Sequence, residues 1–193
     1  IIMGAVNQKA IARMEPNVAR LVDTLLGEMA ERRTVNFIDE IAAQIPIEVI
    51  GNLLDIPRAE RGPLRGWSVA ILSGLEPKLT PAMFEAGNRA VSEFIAYLKE
   101  LIAGRRREPG DYESDVLTRL IQGEQDGEKL TERELYHQCI FLLNAGHETT
   151  TNLIANGLWA LLHNPAELAR LRADAALVPS AVEEMLRYDG PIQ

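Results

Sequence analysis

The chain has 193 residues, 47% hydrophobic but only 5% aromatic, with a formal net charge of −8 at pH 7 and one cysteine. A chain of this length can bury about 70% of its unfolded surface, enough for one sizeable core. The acidic balance argues against nucleic acid as a partner, the single cysteine excludes an intrachain disulfide and suggests a reducing, cytoplasmic setting, and no segment is long and apolar enough to span a membrane.

In chain order, residues 1–15 read as the end of an earlier element, and Pro16 suits a first helical position. Val18, Leu21, Val22, Leu25, Leu26 and Met29 then recur at helical spacing. Asn36 is a candidate cap for a helix carrying Phe37, Ile38, Ile41, Ala42 and Ile45, which Pro46 should kink or break. Apolar positions continue to a stop at Asp55-Ile56-Pro57. Residues 58–75 form a weaker helix interrupted by Gly62-Pro63. Thr80-Pro81 is a cap with proline at the first helical position, opening a helix to about Arg107. Arg105-Arg106-Arg107 reads as a solvated helix end that suits the dipole. Ser114 is a candidate cap for a short helix over 115–121, and 123–129 is a polar turn.

The segment over 131–163 organises the rest. Thr131 with Glu134 is a capping box, and Asn164-Pro165 is a stop. Its proline-free interior makes a helix about 48 Å long, nearly three times the mean. Its flanks are apolar, at Ile140 to Leu143 and Leu158 to Leu162, but its midpoint is Asn144, His147, Glu148, Thr149, Thr150, Thr151 and Asn152. Leu142, Ala145 or Gly146, Thr149 and Leu153 share one face by helical spacing. The middle of that face has little bulk, and Gly146 costs about 1 kcal/mol in a helix. Two readings stand: a place where something large and flat approaches, or a helix crossing in which Thr149 bonds back to the Ala145 carbonyl.

Beyond it, Asn164-Pro165 starts a helix to about Ala173, and Ser180 with Glu183 reads as a capping box opening a helix over 181–188. No repeat or linker is visible. The expectation is an all-α protein, one helical domain over 1–193: an orthogonal helical bundle around one long central helix. Both ends look as though the chain continues.

Several chemistries are excluded. His147 lacks the second histidine four residues on that a zinc helix requires, since Thr151 stands there, and His163 is about 24 Å along the axis. There is no nucleophile elbow, and Cys139 has no basic neighbour to lower its pKa, so it reads as a core thiol. Glu184 and Arg187 form an i, i+3 pair that Glu167 and Arg170 repeat, so alone it carries no information.

Together the segments say more. Ala145-Gly146-His147-Glu148-Thr149-Thr150 in a very long helix, then Asn164-Pro165, then Glu184-Met185-Leu186-Arg187 and Pro191, resemble the cytochrome P-450 family of haem–thiolate monooxygenases, its soluble bacterial branch above all. The segments from Lys9 to Pro16 and from Ile45 to Ile50 are similar to it too. The resemblance implies a haem cofactor, a small organic substrate and an electron-transfer partner of ferredoxin or flavodoxin type. Thr149 would hydrogen-bond dioxygen and hold a water, and Glu148 would relay protons. Ala145 and Gly146 would accommodate the haem, and Glu184 and Arg187 would brace the haem-binding loop. That glycine-rich loop with its ligand cysteine is not among these residues, and Cys139 lies about 15 Å from Thr149 on the same helix. The axial cysteine is therefore expected beyond Gln193, and the chain reads as a central fragment of the parent enzyme, able to self-associate and inactive alone. The alternative is a non-enzymatic all-α binding or dimerisation module sharing only the long helix.

Overall fold

The computed structural model describes residues 8–112, 115–125 and 128–192. Helix α1 spans Gln8–Ala30, so Pro16 lies inside it and not at its first turn. A mid-helix proline removes one backbone donor. Here the half beyond it is held by the half-buried Val18, Leu21, Val22 and Leu25.

Asn36 caps as expected, its Oδ1 accepting from the Asp39 N–H at 3.2 Å. The next turn, Ile38–Ala42, is wound wide: the Ala43 N–H donates to the Ile38 carbonyl five residues back. Helix α2, Gln44–Leu53, then restarts with Pro46 in its first turn. The break expected at Pro46 therefore falls just ahead of it, at Ala43, since Pro46 has no N–H to give the Ala42 carbonyl.

A tight turn at Arg58–Glu60 leads into α3, Gly62–Ser73. Helix α4, Pro81–Arg107, is capped by Thr80, whose Oγ1 accepts from the Met83 N–H at 3.3 Å. Helix α5, Val116–Gln122, is capped by Asp115; Ser114, the candidate cap, lies outside the described residues. The polar turn before the long helix carries a two-residue antiparallel hairpin, β1 Glu124–Gln125 and β2 Glu128–Lys129, with Glu124 opposite Lys129. Helix α6 is Glu132–His163, 32 residues, and its capping box is formed in both directions. Helix α7, Pro165–Ala173, follows at once.

Helix α8, Val178–Tyr188, does not begin with the Ser180–Glu183 box. Asp174 caps a tight turn at Ala175–Leu177 that runs straight into α8, with Pro179 in its first turn. The Ser180 hydroxyl donates instead to the Leu177 carbonyl at 2.9 Å.

The core joins α2 to α6 through Ile50, Leu54, Leu64, Phe94, Leu98, Leu117, Leu135 and Leu143. Helix α6 packs on α2 and α3, and α3 packs along α4. Two ionic clusters pin the connections. Glu48 is buried on α2; it takes Arg61 Nη1 at 2.6 Å and Arg58 Nε at 2.9 Å. Arg61 also donates to the Ile56 carbonyl and to Asn52 Oδ1. It passes over Gly51, where a Cβ would stand 2.3 Å from Arg61 Nε. The second cluster corrects the reading of the basic run. Arg105 is 17% exposed and pairs with Asp55 and Asp115, so it is a half-buried clasp between α4 and its neighbours. Its neighbour Arg106 keeps a looser surface pair with Glu132. No helix among the described residues is long and apolar enough to cross a membrane.

Candidate functional site

Helix α6 carries two opposite stripes. Leu135, Cys139, Leu143, His147 and Thr151, each four residues apart, are buried. Offset by two residues, about 200° round the axis, His137, Phe141 and Ala145 are exposed and Thr149 is half-buried. Phe141 is 59% exposed, an apolar ring on a face the bundle does not use.

Ala145 and Gly146 therefore do different jobs. Ala145 lies on the open stripe, whereas Gly146 is turned towards α2. A Cβ on Gly146 would lie 3.1 Å from Ile50 Cδ1 and 3.2 Å from Ile50 Cγ1, so its missing side chain makes room for Ile50. The crossing expected from the sequence is present at Gly146, and the Ala145 side of the same helix is exposed.

Thr149 Oγ1 donates to the Ala145 carbonyl at 2.8 Å. Glu148 beside it is half-buried and forms no hydrogen bond or ion pair with the described residues. His147 is on the buried stripe, 2% exposed, with Nδ1 3.1 Å from Ser68 Oγ on α3. Burial, helped by the charge of Arg65, lowers its pKa to about 4, so the ring is neutral. Among the described residues no group of three or more His, Cys, Asp or Glu is placed to hold a metal ion. Cys139 is a free buried thiol, pushed up to about 12 by burial alone. A thiolate is therefore disfavoured there, on the stripe facing away from Ala145.

Glu184 and Arg187 form a two-armed pair, Nε to Oε2 2.7 Å and Nη2 to Oε1 2.6 Å. Each holds the other's charge: the Arg187 guanidinium lowers the Glu184 pKa, and the carboxylate raises that of Arg187. Both are more than half exposed. They are not brought to the α6 midpoint. Helix α8 meets α6 at Gly157, against Met185, about two turns beyond Thr149. There α6, α7 and α8 enclose a cleft of about 330 Å³ lined by Gly157, Leu161, Arg170, Leu177 and Met185. Sequence spacing did not reveal Ser68, Ile50 or Phe141. The first two act through contacts between distant helices, and the exposure of Phe141 depends on which face the bundle covers.

These features define a class: a helical bundle that buries one side of a long central helix and leaves the other side exposed. The cytochrome P450 family profile matches residues 70–188, and the chain belongs to that family. It is 40% identical over 192 residues to cytochrome P450 107B1 of Saccharopolyspora erythraea, covering 100% of this chain and 45% of that protein. It is 38% identical over 188 residues to the cytochrome P450 monooxygenase PikC of Streptomyces venezuelae, covering 96% and 43%. Among solved structures, P450BioI bound to an acyl carrier protein ligated with hexadec-9Z-enoic acid superposes with a TM-score of 0.88 at 33% identity, over 96% of this chain and 47% of that one. CalO2 superposes with a TM-score of 0.88 at 30% identity, over 97% and 46%. The chain thus spans somewhat under half the length of the relatives it matches, and its all-α architecture is part of the cytochrome P450 fold. Nothing in these likenesses supports the non-enzymatic module.

The family implies haem in the complete enzyme. The open stripe fits one side of such a group, with a methyl at Ala145 between an aromatic ring and a hydroxyl. The iron's thiolate is not on that stripe, because Cys139 is turned into the bundle.

Proposed function

We propose that the complete protein is a haem–thiolate monooxygenase acting on a small organic substrate, and that these residues form the oxygen-side wall of its site. Haem with a thiolate ligand supplies dioxygen activation and O–O cleavage, one oxygen atom entering the substrate and the other leaving as water. Ala145 keeps the wall low. Thr149 donates its hydrogen bond to the Ala145 carbonyl, so its oxygen keeps lone pairs that hold a water, and rotation of the O–H redirects it as a donor into the site. Glu148, half-buried beside it, takes protons from solvent and passes them inward. Gly146 supports the wall from behind by letting α2 pack closely. Glu184 and Arg187 brace the segment that carries the axial cysteine, which lies outside residues 1–193. Electrons come from a small carrier of ferredoxin or flavodoxin type. The 193-residue chain by itself exposes Phe141 and self-associates.

The observation that carries this reading is the open Phe141–Ala145–Thr149 stripe opposite the buried one. The test is Thr149→Ala in the haem-loaded full-length protein, comparing electrons consumed with product formed. Electrons should be diverted to peroxide and product per electron should fall steeply, since one positioned proton-handling group contributes about 100-fold or more. Unchanged coupling overturns the role given to Thr149.

A further inference from the structure

His147 is a fully buried polar group at the α6 midpoint that the proposed chemistry leaves unused. Its stripe is otherwise Leu135, Cys139, Leu143 and Thr151. The histidine leaves Nε2 buried with no hydrogen-bond partner among the described residues. Such an orphan costs about 1–3 kcal/mol. Its other nitrogen reaches Ser68, which is 0% exposed and 79 residues earlier in the chain.

The tautomer follows from counting partners. A neutral imidazole has one donor and one acceptor nitrogen. If Ser68 donates its hydroxyl proton to Nδ1, one donor is left over, the Nε2–H. If Nδ1–H donates to Ser68 instead, the hydroxyl proton and the Nε2 lone pair are both left over. The first arrangement strands less, so the ring carries its proton on Nε2.

The position of this bond gives it reach. His147 directly precedes Glu148, and its carbonyl accepts from the Thr151 hydroxyl at 2.9 Å, one turn on. The Thr149 and Thr151 side chains both bond back to carbonyls of this turn. Back-bonding hydroxyls of this kind loosen and bend a helix, so the turn needs an external anchor to hold one setting. We propose that His147 is a positioning residue: hydrogen-bonded to Ser68 on α3, it fixes the rotation of the middle turn of α6 and with it the direction in which Thr149 and Glu148 face. This rests on the oxygen-side role proposed for Thr149, where about 1 Å of misplacement can cost as much as 100-fold.

The test uses Ser68→Ala in the full-length protein, with two readouts independent of activity. Nitrogen-15 spectra of labelled histidine should show the Nε2–H tautomer with a hydrogen-bonded Nδ1, and Ser68→Ala should shift the Nδ1 signal. Amide exchange should rise roughly 3- to 10-fold in the turn spanning residues 145–151, the loss expected for one neutral hydrogen bond, with the ends of α6 unchanged. In the haem-loaded enzyme, coupling of electrons to product should fall in the same variant with KM unchanged. An Nδ1 signal that Ser68→Ala leaves unshifted, or an exchange increase spread evenly along α6, overturns the anchor even if Thr149→Ala behaves as proposed. Local loosening by Ser68→Ala together with unchanged coupling in Thr149→Ala supports the anchor and removes the oxygen-side role instead.

Discussion

Gly146→Ala asks which side of α6 this glycine serves. The new methyl gains about 1 kcal/mol of helix propensity. It also places a Cβ 3.1 Å from Ile50 Cδ1 and 3.2 Å from Cγ1, whereas relaxed carbon contacts sit at about 3.5–4.0 Å. Ile50 is 2% exposed and cannot swing into solvent. Overpacking of this kind costs about 1–3 kcal/mol, so the single variant should lose about 0–2 kcal/mol net. Ile50→Val removes Cδ1, the nearer atom, and alone should cost about 0.5–1.5 kcal/mol. In the double variant the new methyl occupies the space Cδ1 vacates. Cγ1 stays 3.2 Å away, so stability should return only part of the way to that of the parent, a favourable coupling of about 1–2 kcal/mol. Urea unfolding of the four proteins measures this directly. Additive losses would refute the packing role. So would a Gly146→Ala variant stabilised by the full propensity gain, the result expected if the glycine faced open space.

Glu48→Ala should cost about 3 kcal/mol, because it leaves Arg61, 11% exposed, without its carboxylate; a loss under about 1 kcal/mol would mean the cluster is solvated enough to be screened. Cys139 should resist thiol reagents at pH 8 until the chain unfolds, and the 193-residue chain mixed with haem should give no thiolate-type Soret band; rapid native labelling or such a band would contradict the buried setting of its sulfur. Acid should destabilise the fold through His147, whose native pKa is lowered to about 4 from an ordinary 6.5. The unfolded chain then binds a proton the native ring refuses, so stability present above the ordinary value falls between about pH 6.5 and 4, by at most about 1.4 kcal/mol per unit. His147→Gln should flatten that part of the stability–pH curve, and an unchanged slope would show that the ring titrates normally.

The sequence carried these elements unevenly, for physical reasons. Signals that act within one turn were legible: the Thr131–Glu134 box, the Thr80 cap and the Asn164-Pro165 stop all stand as expected. Signals that needed a third party misled. Ser180 and Glu183 have the spacing of a box, but the turn capped by Asp174 reaches α8 first. Arg105 sits in a basic run that looks solvated, yet Asp55 and Asp115, from two other segments, enclose it. Pro16 would suit a helix start, but α1 was already under way at Gln8. At the site, the unusual midpoint of α6 was visible from composition, but its division into two faces was not, because Ile50 and Ser68 lie far away in the chain.

That division explains why Ala145 and Gly146 stand together. Adjacent helical residues are about 100° apart, so two small neighbours cannot both serve one narrow stripe. Alanine stands on the exposed side, where it serves the low wall proposed above. Glycine fits best on the inner side, where a Cβ would crowd Ile50 at 3.1 Å. His147, a further step round, reaches the buried stripe and Ser68, and two residues later Thr149 is back on the open one. Five consecutive positions therefore alternate between holding the bundle together and shaping the face it leaves uncovered. A change at Gly146 or His147 should consequently be felt at Thr149 without touching it.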